Sequence, residues 1–306
     1  VLSGAYYGSS PFYYLCYRWF IGREDGPGFC FVWRQALGYS AVEGDATRRR
    51  WTIGKYSDFS PGAQSNIAIP ILTVIAPEKP NGQAVLVAAG GGYKRIEMGT
   101  EAWPAAQWLV ARGYTAYVLS YRLPSEGWAD GNLVALQDAQ RALRIVRERE
   151  NNVSVLGFSA GGHLLGLAAT RTGCSSYPAQ DRSDDKPAFA DRAALIYPVI
   201  TLEKPYEHTS THKILVGKDA SSAENAKWSV QNYVTPNSPP FFLVQAEDDP
   251  ISDPQNTLIM AAACERQHIP VEMHRYSSGG HGFGMGKPGT PTVKWPEHYE
   301  KWLAKS

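Results

Sequence analysis

A serine between two glycines, Gly157-Phe158-Ser159-Ala160-Gly161, follows the short apolar run Val153-Ser154-Val155-Leu156. A small-residue stretch with helical character, Leu164 to Thr170, comes directly after it. Strand, sharp turn and helix in that order lift a serine hydroxyl clear of a sheet edge. The turn forces the serine backbone into strain, and glycines on either side leave room for neighbouring backbone because they lack Cβ. The hydroxyl then stands at the positive end of the helix that follows. A bare Gly-x-Ser-x-Gly also occurs as a plain strand-to-helix turn; the apolar strand before it and the helix after it favour a nucleophile.

A serine hydroxyl is a weak nucleophile at neutral pH and needs a base within hydrogen-bond reach. The base expected here is His281, in Ser277-Ser278-Gly279-Gly280-His281-Gly282-Phe283-Gly284, a glycine loop after the last strand-like run. His163 competes, but it lies one helical turn beyond Ser159 and is read as structural. His208, His212, His268, His274 and His298 lie in polar stretches or on element faces and are read as surface or packing residues. No H-E-x-x-H or similar spacing occurs, so neither a metal nor a cofactor is assigned. A carboxylate must orient the imidazole. Gln245-Ala246-Glu247-Asp248-Asp249-Pro250-Ile251-Ser252-Asp253 offers four acids. Asp249 is preferred because it sits in the loop proper, just before Pro250; Asp248 is second, and Glu247 and Asp253 read as turn or helix caps. Backbone amides for a developing oxyanion are expected from Ala160 and from Gly91 and Gly92 of the Gly90-Gly91-Gly92 triplet. No lysine-serine pair and no G-x-G-x-x-G accompanies that triplet, which argues against phosphate binding.

The elements that must position these residues alternate along the chain. Strands are expected over Ile67 to Ile75 (with Pro70 marking an edge), Ala84 to Ala89, Tyr114 to Tyr121, Val153 to Phe158, Ala193 to Ile200, Phe241 to Ala246 and Val271 to Tyr276. Helices are expected over Glu101 to Arg112, Asn132 to Glu150, near Ser221 to Gln231, Pro254 to Gln267 and Trp295 to Ala304. This alternation predicts an α/β fold with a largely parallel sheet covered on both faces, in which reactive loops gather at the carboxyl ends of the strands. Thr201 to Pro240 is otherwise irregular and suited to a small cap over a pocket.

The chain has 306 residues, of which 43% are hydrophobic, enough for one large core. A net charge of +1 gives no field for nucleic acid or an anionic membrane, and no apolar run is long enough to span a bilayer. Cys16, Cys30, Cys174 and Cys264 form no C-x-x-C pair, and no disulfide framework is required; Cys16 with Cys30 is the pairing of choice if one bridge forms. Residues 1–60 hold fifteen aromatics among many glycines, without a clean period, and read as an extension packed on a main domain of residues 61–306. The chain starts at Val1 rather than methionine and reads as a fragment or a processed product, compatible with a cytoplasmic protein or a secreted one whose signal has been removed.

Several stretches taken together resemble the α/β-hydrolase family, and within it the small esterases that include acetyl xylan esterases. They are Gly90-Gly91-Gly92-Tyr93, Tyr121-Arg122-Leu123-Pro124, Leu136-Gln137-Asp138-Ala139-Gln140-Arg141-Ala142, Gly157 to His163, Tyr197-Pro198, Asp248-Asp249-Pro250 and Gly280-His281-Gly282-Phe283-Gly284. The resemblance runs from about Ile67 onward. It implies a nucleophile at Ser159, a base at His281, an acid at Asp249 and oxyanion donors at Gly91, Gly92 and Ala160. Ala88-Ala89 stand before the glycines where relatives often show His or Pro. The implied activity is hydrolysis of short acyl esters, acetyl first, on a small molecule or a xylan-type oligosaccharide. A general short-chain carboxylesterase, a prolyl-oligopeptidase-like peptidase and a non-catalytic hydrolase-fold binding protein are the alternatives. About 60 leading residues cannot build the propeller of the second, and all three implied side chains are present, against the third.

Overall fold

A computed structural model describes residues 30–34 and 62–305. Eight strands form one sheet: β1 (Cys30–Arg34), β2 (Ile71–Ile75), β3 (Gln83–Ala88), β4 (Thr115–Ser120), β5 (Asn152–Phe158), β6 (Arg192–Ile196), β7 (Phe241–Ala246) and β8 (Val271–Tyr276). Their spatial order is β1-β2-β4-β3-β5-β6-β7-β8. The pairs β1–β2 and β2–β4 are antiparallel, and every pair from β4 to β8 is parallel.

The sequence explains the layering. β3, β5 and β7 are nearly continuous apolar runs and are buried almost throughout, as strands covered on both faces must be. β8 reads Val-Glu-Met-His-Arg-Tyr, half-buried and charged, which suits an edge open to water. Helices α1 (Trp103–Val110), α2 (Val134–Arg147), α3 (Ala160–Thr170), α6 (Gln255–Arg266) and α7 (Trp295–Leu303) cover the sheet. α1 meets α7 through the stacked rings of Trp108 and Tyr299, whereas α2 packs on α3.

Two expectations need correction. The strand expected from Ile67 begins only at Ile71. It is not the sheet edge, because β1 pairs outside it, and Pro70 lies just before its first ladder bond. A proline without an N–H fits that position as well as an edge. The region after β6 holds two short helices rather than one, α4 (Ser210–Leu215) and α5 (Ser222–Lys227), followed by a 3₁₀ turn over Val230–Tyr233. Thr209 and Ser221 cap them by accepting from the His212 and Glu224 N–H groups. Six-residue helices leave too little periodicity to be read from sequence. The expected packed extension over residues 1–60 lies outside the described residues apart from β1, and so does Cys16. Cys174 and Cys264 are free thiols.

Register decides which loops meet. The chain runs outward from β3 to β4 and returns past β3 to β5 on its other side, with Ala88 opposite Gly157. That is the switch point of an open parallel sheet, where a crevice opens at the carboxyl ends. Phe158 lies opposite Ile196 and Ala246 opposite Tyr276, so the residues following β5 and β6, and those following β7 and β8, emerge side by side.

One buried ion pair fixes the flank of this crevice. Arg122, just past β4, donates from Nη2 to Asp138 Oδ1 at 2.6 Å and from its backbone N–H to Asp138 Oδ2 at 2.8 Å, with both side chains out of water. The pair clamps α2 to the end of β4. Removing the cation leaves a buried carboxylate uncompensated, which typically costs about 3–5 kcal/mol. Arg122→Met is therefore expected to lower stability by about that amount, read from urea unfolding midpoints; a loss under about 1 kcal/mol would show that the clamp matters little.

Candidate active site

Ser159 is the first residue past β5 and has φ 50° and ψ −117°, a left-handed conformation that a side chain rarely adopts. Its N–H donates to the Ile196 carbonyl at 3.0 Å, and its carbonyl accepts from the His163 N–H at 3.1 Å and the Val199 N–H at 3.3 Å. A Cβ on Gly161 would run into the Ala88 and Ala89 carbonyls, and one on Gly90 would lie 2.6 Å from the Ser159 Cβ. Both glycines are therefore required by close backbone approach.

The three side chains expected from the sequence are in line. Ser159 Oγ is 2.8 Å from His281 Nε2, and His281 Nδ1 is 2.8 Å from Asp249 Oδ2. β5 and β8 are three strands apart, a span of about 14 Å at sheet spacing. The loop after β8 crosses it, since His281 lies five residues beyond Tyr276. Asp249 is fully buried, and four donors reach its oxygens: the Ile251 and Ser252 N–H groups on Oδ1, Gln245 Nε2 and His281 Nδ1 on Oδ2. With donors on both oxygens the carboxyl acts as acceptor, so the imidazole proton sits on Nδ1 and the Nε2 lone pair faces the serine hydroxyl.

The competing residues take other positions. Asp248 Oδ1 accepts from the Gly280 N–H at 2.7 Å, tethering the loop that carries His281. Glu247 does not cap a turn; it pairs with Arg275 across the β7–β8 edge. Asp253 caps the start of α6 through the Gln255 N–H. His163 is buried, with Nε2 donating to the Trp228 carbonyl at 2.7 Å and Nδ1 accepting from the Tyr93 hydroxyl at 3.0 Å. Burial pushes its pKa down to about 4, against the smaller opposing pull of the Trp228 carbonyl. It is a packing residue, as the sequence position suggested.

The Gly91, Gly92 and Ala160 amides, expected from the sequence as oxyanion donors, make no hydrogen bond to an intramolecular acceptor among the described residues. The Tyr121 hydroxyl donates to the Ala89 carbonyl at 2.7 Å and anchors the start of this loop. The Gly90 N–H is used differently: it donates to Glu101 Oε2 at 2.5 Å. Glu101 lies in a short π-type turn, Met98–Ala102, ahead of α1, and its other oxygen accepts from the Tyr197 hydroxyl at 3.0 Å. Burial raises its pKa to about 7, against the Gly90 and Tyr197 hydrogen bonds and the nearby His281, which lower it. Sequence reasoning placed Glu101 only as the start of a helix. The available signal was its register: Glu101 shares the face of buried Ala105, where an acid is out of place. An open groove of about 500 Å³ borders His281, with Thr100, Pro104, Phe283 and Lys287 in its wall. Among the described residues no cluster of His, Cys, Asp or Glu converges as a metal site would, and no helix is long and apolar enough to cross a membrane.

A switch-point crevice with a serine turn at its floor defines an α/β-hydrolase fold. The chain belongs to the BD-FAE family, whose model matches residues 72–263. It is 30% identical over 221 residues to an acetylxylan esterase of Xylanibacter ruminicola, covering 69% of this chain and 43% of that protein. It is 27% identical over 271 residues to endo-1,4-beta-xylanase B of Butyrivibrio fibrisolvens, covering 84% of this chain and 40% of that protein. The chain thus spans less than half the length of these relatives. Among solved structures, an acetyl ester-xyloside bifunctional hydrolase of Caldicellulosiruptor lactoaceticus superimposes with a TM-score of 0.67 at 30% identity, covering 77% of this chain and 87% of that one. A carboxylesterase of Lactobacillus plantarum WCFS1 shares the fold at 23% identity, with a TM-score of 0.63 and coverage of 77% and 92%.

The His163 shift has a sign that can be tested. A base with a depressed folded pKa contributes stability fully present above its unfolded value near 6.5, and lost as pH falls through about 4. That window corresponds to about 3 kcal/mol. Glu101 acts oppositely, its contribution being lost as pH rises from 4.5 through about 7. The stability advantage of the native protein over His163→Gln is therefore expected to shrink as pH is lowered from 7 to about 4, read from urea midpoints at each pH. Parallel curves for the two proteins would count against the buried neutral imidazole.

Proposed function

We propose that this protein is a serine esterase that removes short acyl groups, acetyl first, from a carbohydrate such as xylan or a xylo-oligosaccharide. The observation that carries the reading is the unbroken line from Asp249 through His281 to Ser159 at 2.8 Å per step. The names of two relatives, an acetylxylan esterase and an acetyl ester-xyloside hydrolase, support the substrate class.

In this reading Ser159 Oγ attacks the ester carbonyl as its proton passes to His281 Nε2. Asp249 holds the imidazole by Nδ1 and stabilises the imidazolium that forms. The tetrahedral oxyanion rests on the Gly91, Gly92 and Ala160 amides, each donor of this kind contributing on the order of a hundredfold or more in rate. The carbonyl re-forms, the C–O bond to the alcohol breaks, and His281 Nε2–H protonates the leaving oxygen. Water then repeats the sequence on the acyl-serine, giving up a proton to His281 and releasing the acid and Ser159. The groove beside His281 offers room for the departing alcohol.

Ser159→Ala is expected to abolish release of p-nitrophenol from p-nitrophenyl acetate and labelling by a fluorophosphonate probe, with an unchanged circular dichroism spectrum. Retention of more than a few per cent of native activity would remove Ser159 from the mechanism. Asp249→Asn, which lets the imidazole take the wrong tautomer, is expected to lower kcat by about ten-thousandfold. Rates on p-nitrophenyl acetate, butyrate and octanoate should fall in that order, with acetate released from acetylated xylan; preference for octanoate and no action on the xylan would replace the substrate assignment with a lipolytic one.

A further inference from the structure

We infer that Glu101 is a positioning residue for this site: its buried carboxyl group ties the glycine loop after β3 to the loop that carries His281. The inference rests on the serine-esterase reading above.

Glu101 is buried and makes no contact with the attacking hydroxyl. Its Oε2 holds the Gly90 N–H at 2.5 Å, and Gly90 packs directly on the Ser159 Cβ and leads into the Gly91 and Gly92 amides. Its Oε1 holds the Tyr197 hydroxyl at 3.0 Å. That hydroxyl in turn accepts from the Gly284 N–H at 3.0 Å, three residues past His281. The Tyr197 ring stands edge-on to the His281 ring at 5.0 Å and to Phe283 at 4.4 Å. Tyr197 is itself held at φ 37°, next to the end of β6. One carboxylate therefore joins the glycine loop after β3 to the loop that delivers the base, through the Gly90 N–H on one oxygen and the Tyr197 hydroxyl on the other.

The direction of these bonds favours the charged form. The Tyr197 oxygen already accepts from Gly284, so its own proton goes to Glu101; the Gly90 N–H also needs an acceptor. A proton on Glu101 would need an acceptor of its own, and its two hydrogen-bond partners here both act as donors to it. The groups facing Glu101 are Glu97, one turn before it, Tyr197 after β6, His281 after β8 and Tyr121 at the end of β4. Glu97 opposes its ionisation but is paired with Arg95, and His281 favours it. Burial is the largest influence and holds the carboxyl near the point of protonation at neutral pH, so the tie loosens in mild acid. Because the charge lies close to His281, it also favours the imidazolium formed on attack.

Two variants of the full chain, assayed with p-nitrophenyl acetate from pH 5 to 9, test this. Glu101→Gln keeps the shape and removes the charge and its titration. Its kcat is expected to fall about tenfold or more, with KM changed less than about threefold, and the acid limb of kcat/KM is expected to move to lower pH. Tyr197→Phe keeps the charge and removes a donor that favours it, so the acid limb is expected to move to higher pH. A residue with a purely structural role would lower thermal stability while leaving both profiles superimposed on the native one, and that result would overturn the inference. If Glu101→Gln does not fold, the Tyr197→Phe profile decides alone: an unmoved limb overturns the inference and an upward shift supports it. If the native protein shows no hydrolysis that depends on Ser159, the serine-esterase reading falls and this inference with it; hydrolysis that depends on Ser159 with unmoved limbs removes only the role of Glu101.

Discussion

The site depends on how closely three pieces of backbone approach one another at the end of β5. Ser159 adopts a left-handed conformation, a state that costs of order 1–3 kcal/mol and persists only where its surroundings over-determine it. They do so through the bonds from Ile196, His163 and Val199 to its backbone, and through Gly161 and Gly90, which bring α3 and the loop after β3 to within van der Waals contact. The same crowding points the hydroxyl into the crevice and leaves the Ala160 N–H at the first turn of a helix, where it has no acceptor within the helix. The exposed serine hydroxyl and the free amide next to it are thus products of a single packing constraint.

Two buried acids serve this arrangement under different conditions. Asp249 is surrounded by four donors, which replace the water it loses and keep it an acceptor. Glu101 has two, and burial prevails, raising its pKa to about 7. The contrast follows from the local backbone. Asp249 sits where a tight turn points successive N–H groups back at its side chain, while Glu101 projects from an irregular helical turn into a crowded interior. Asp248, adjacent in sequence, has a third role, fastening the Gly280 N–H.

Much of this was legible in the residues. Parallel strands covered on both faces must be apolar nearly throughout, and β3, β5 and β7 announce themselves by composition alone. Ser159 and Asp249 stand in loops directly after β5 and β7, and His281 stands in a glycine loop after the charged edge strand β8; the rule that loops gather at carboxyl ends, together with the Gly-x-Ser-x-Gly turn, brought them together as candidates. The preference for Asp249 over Asp248 was narrower in sequence than in space, where only the former reaches the imidazole. α4 and α5 were obscured because six residues carry less than two helical turns of pattern. The edge status attributed to Pro70 failed because proline reports a missing donor, and that condition is met just outside a strand as well as at a sheet border.

Strand identity, the serine turn and the order of the reactive loops were written in the sequence, because burial and backbone freedom act locally on residue type. The tertiary structure alone decided the register that sets Ala88 opposite Gly157, the reach of the last loop back to Ser159, and the meeting of Glu101 with Gly90 and Tyr197. These are contacts between residues up to 122 positions apart. No local periodicity encodes them, since each arises only when the whole sheet is assembled and the loops compete for the same crevice.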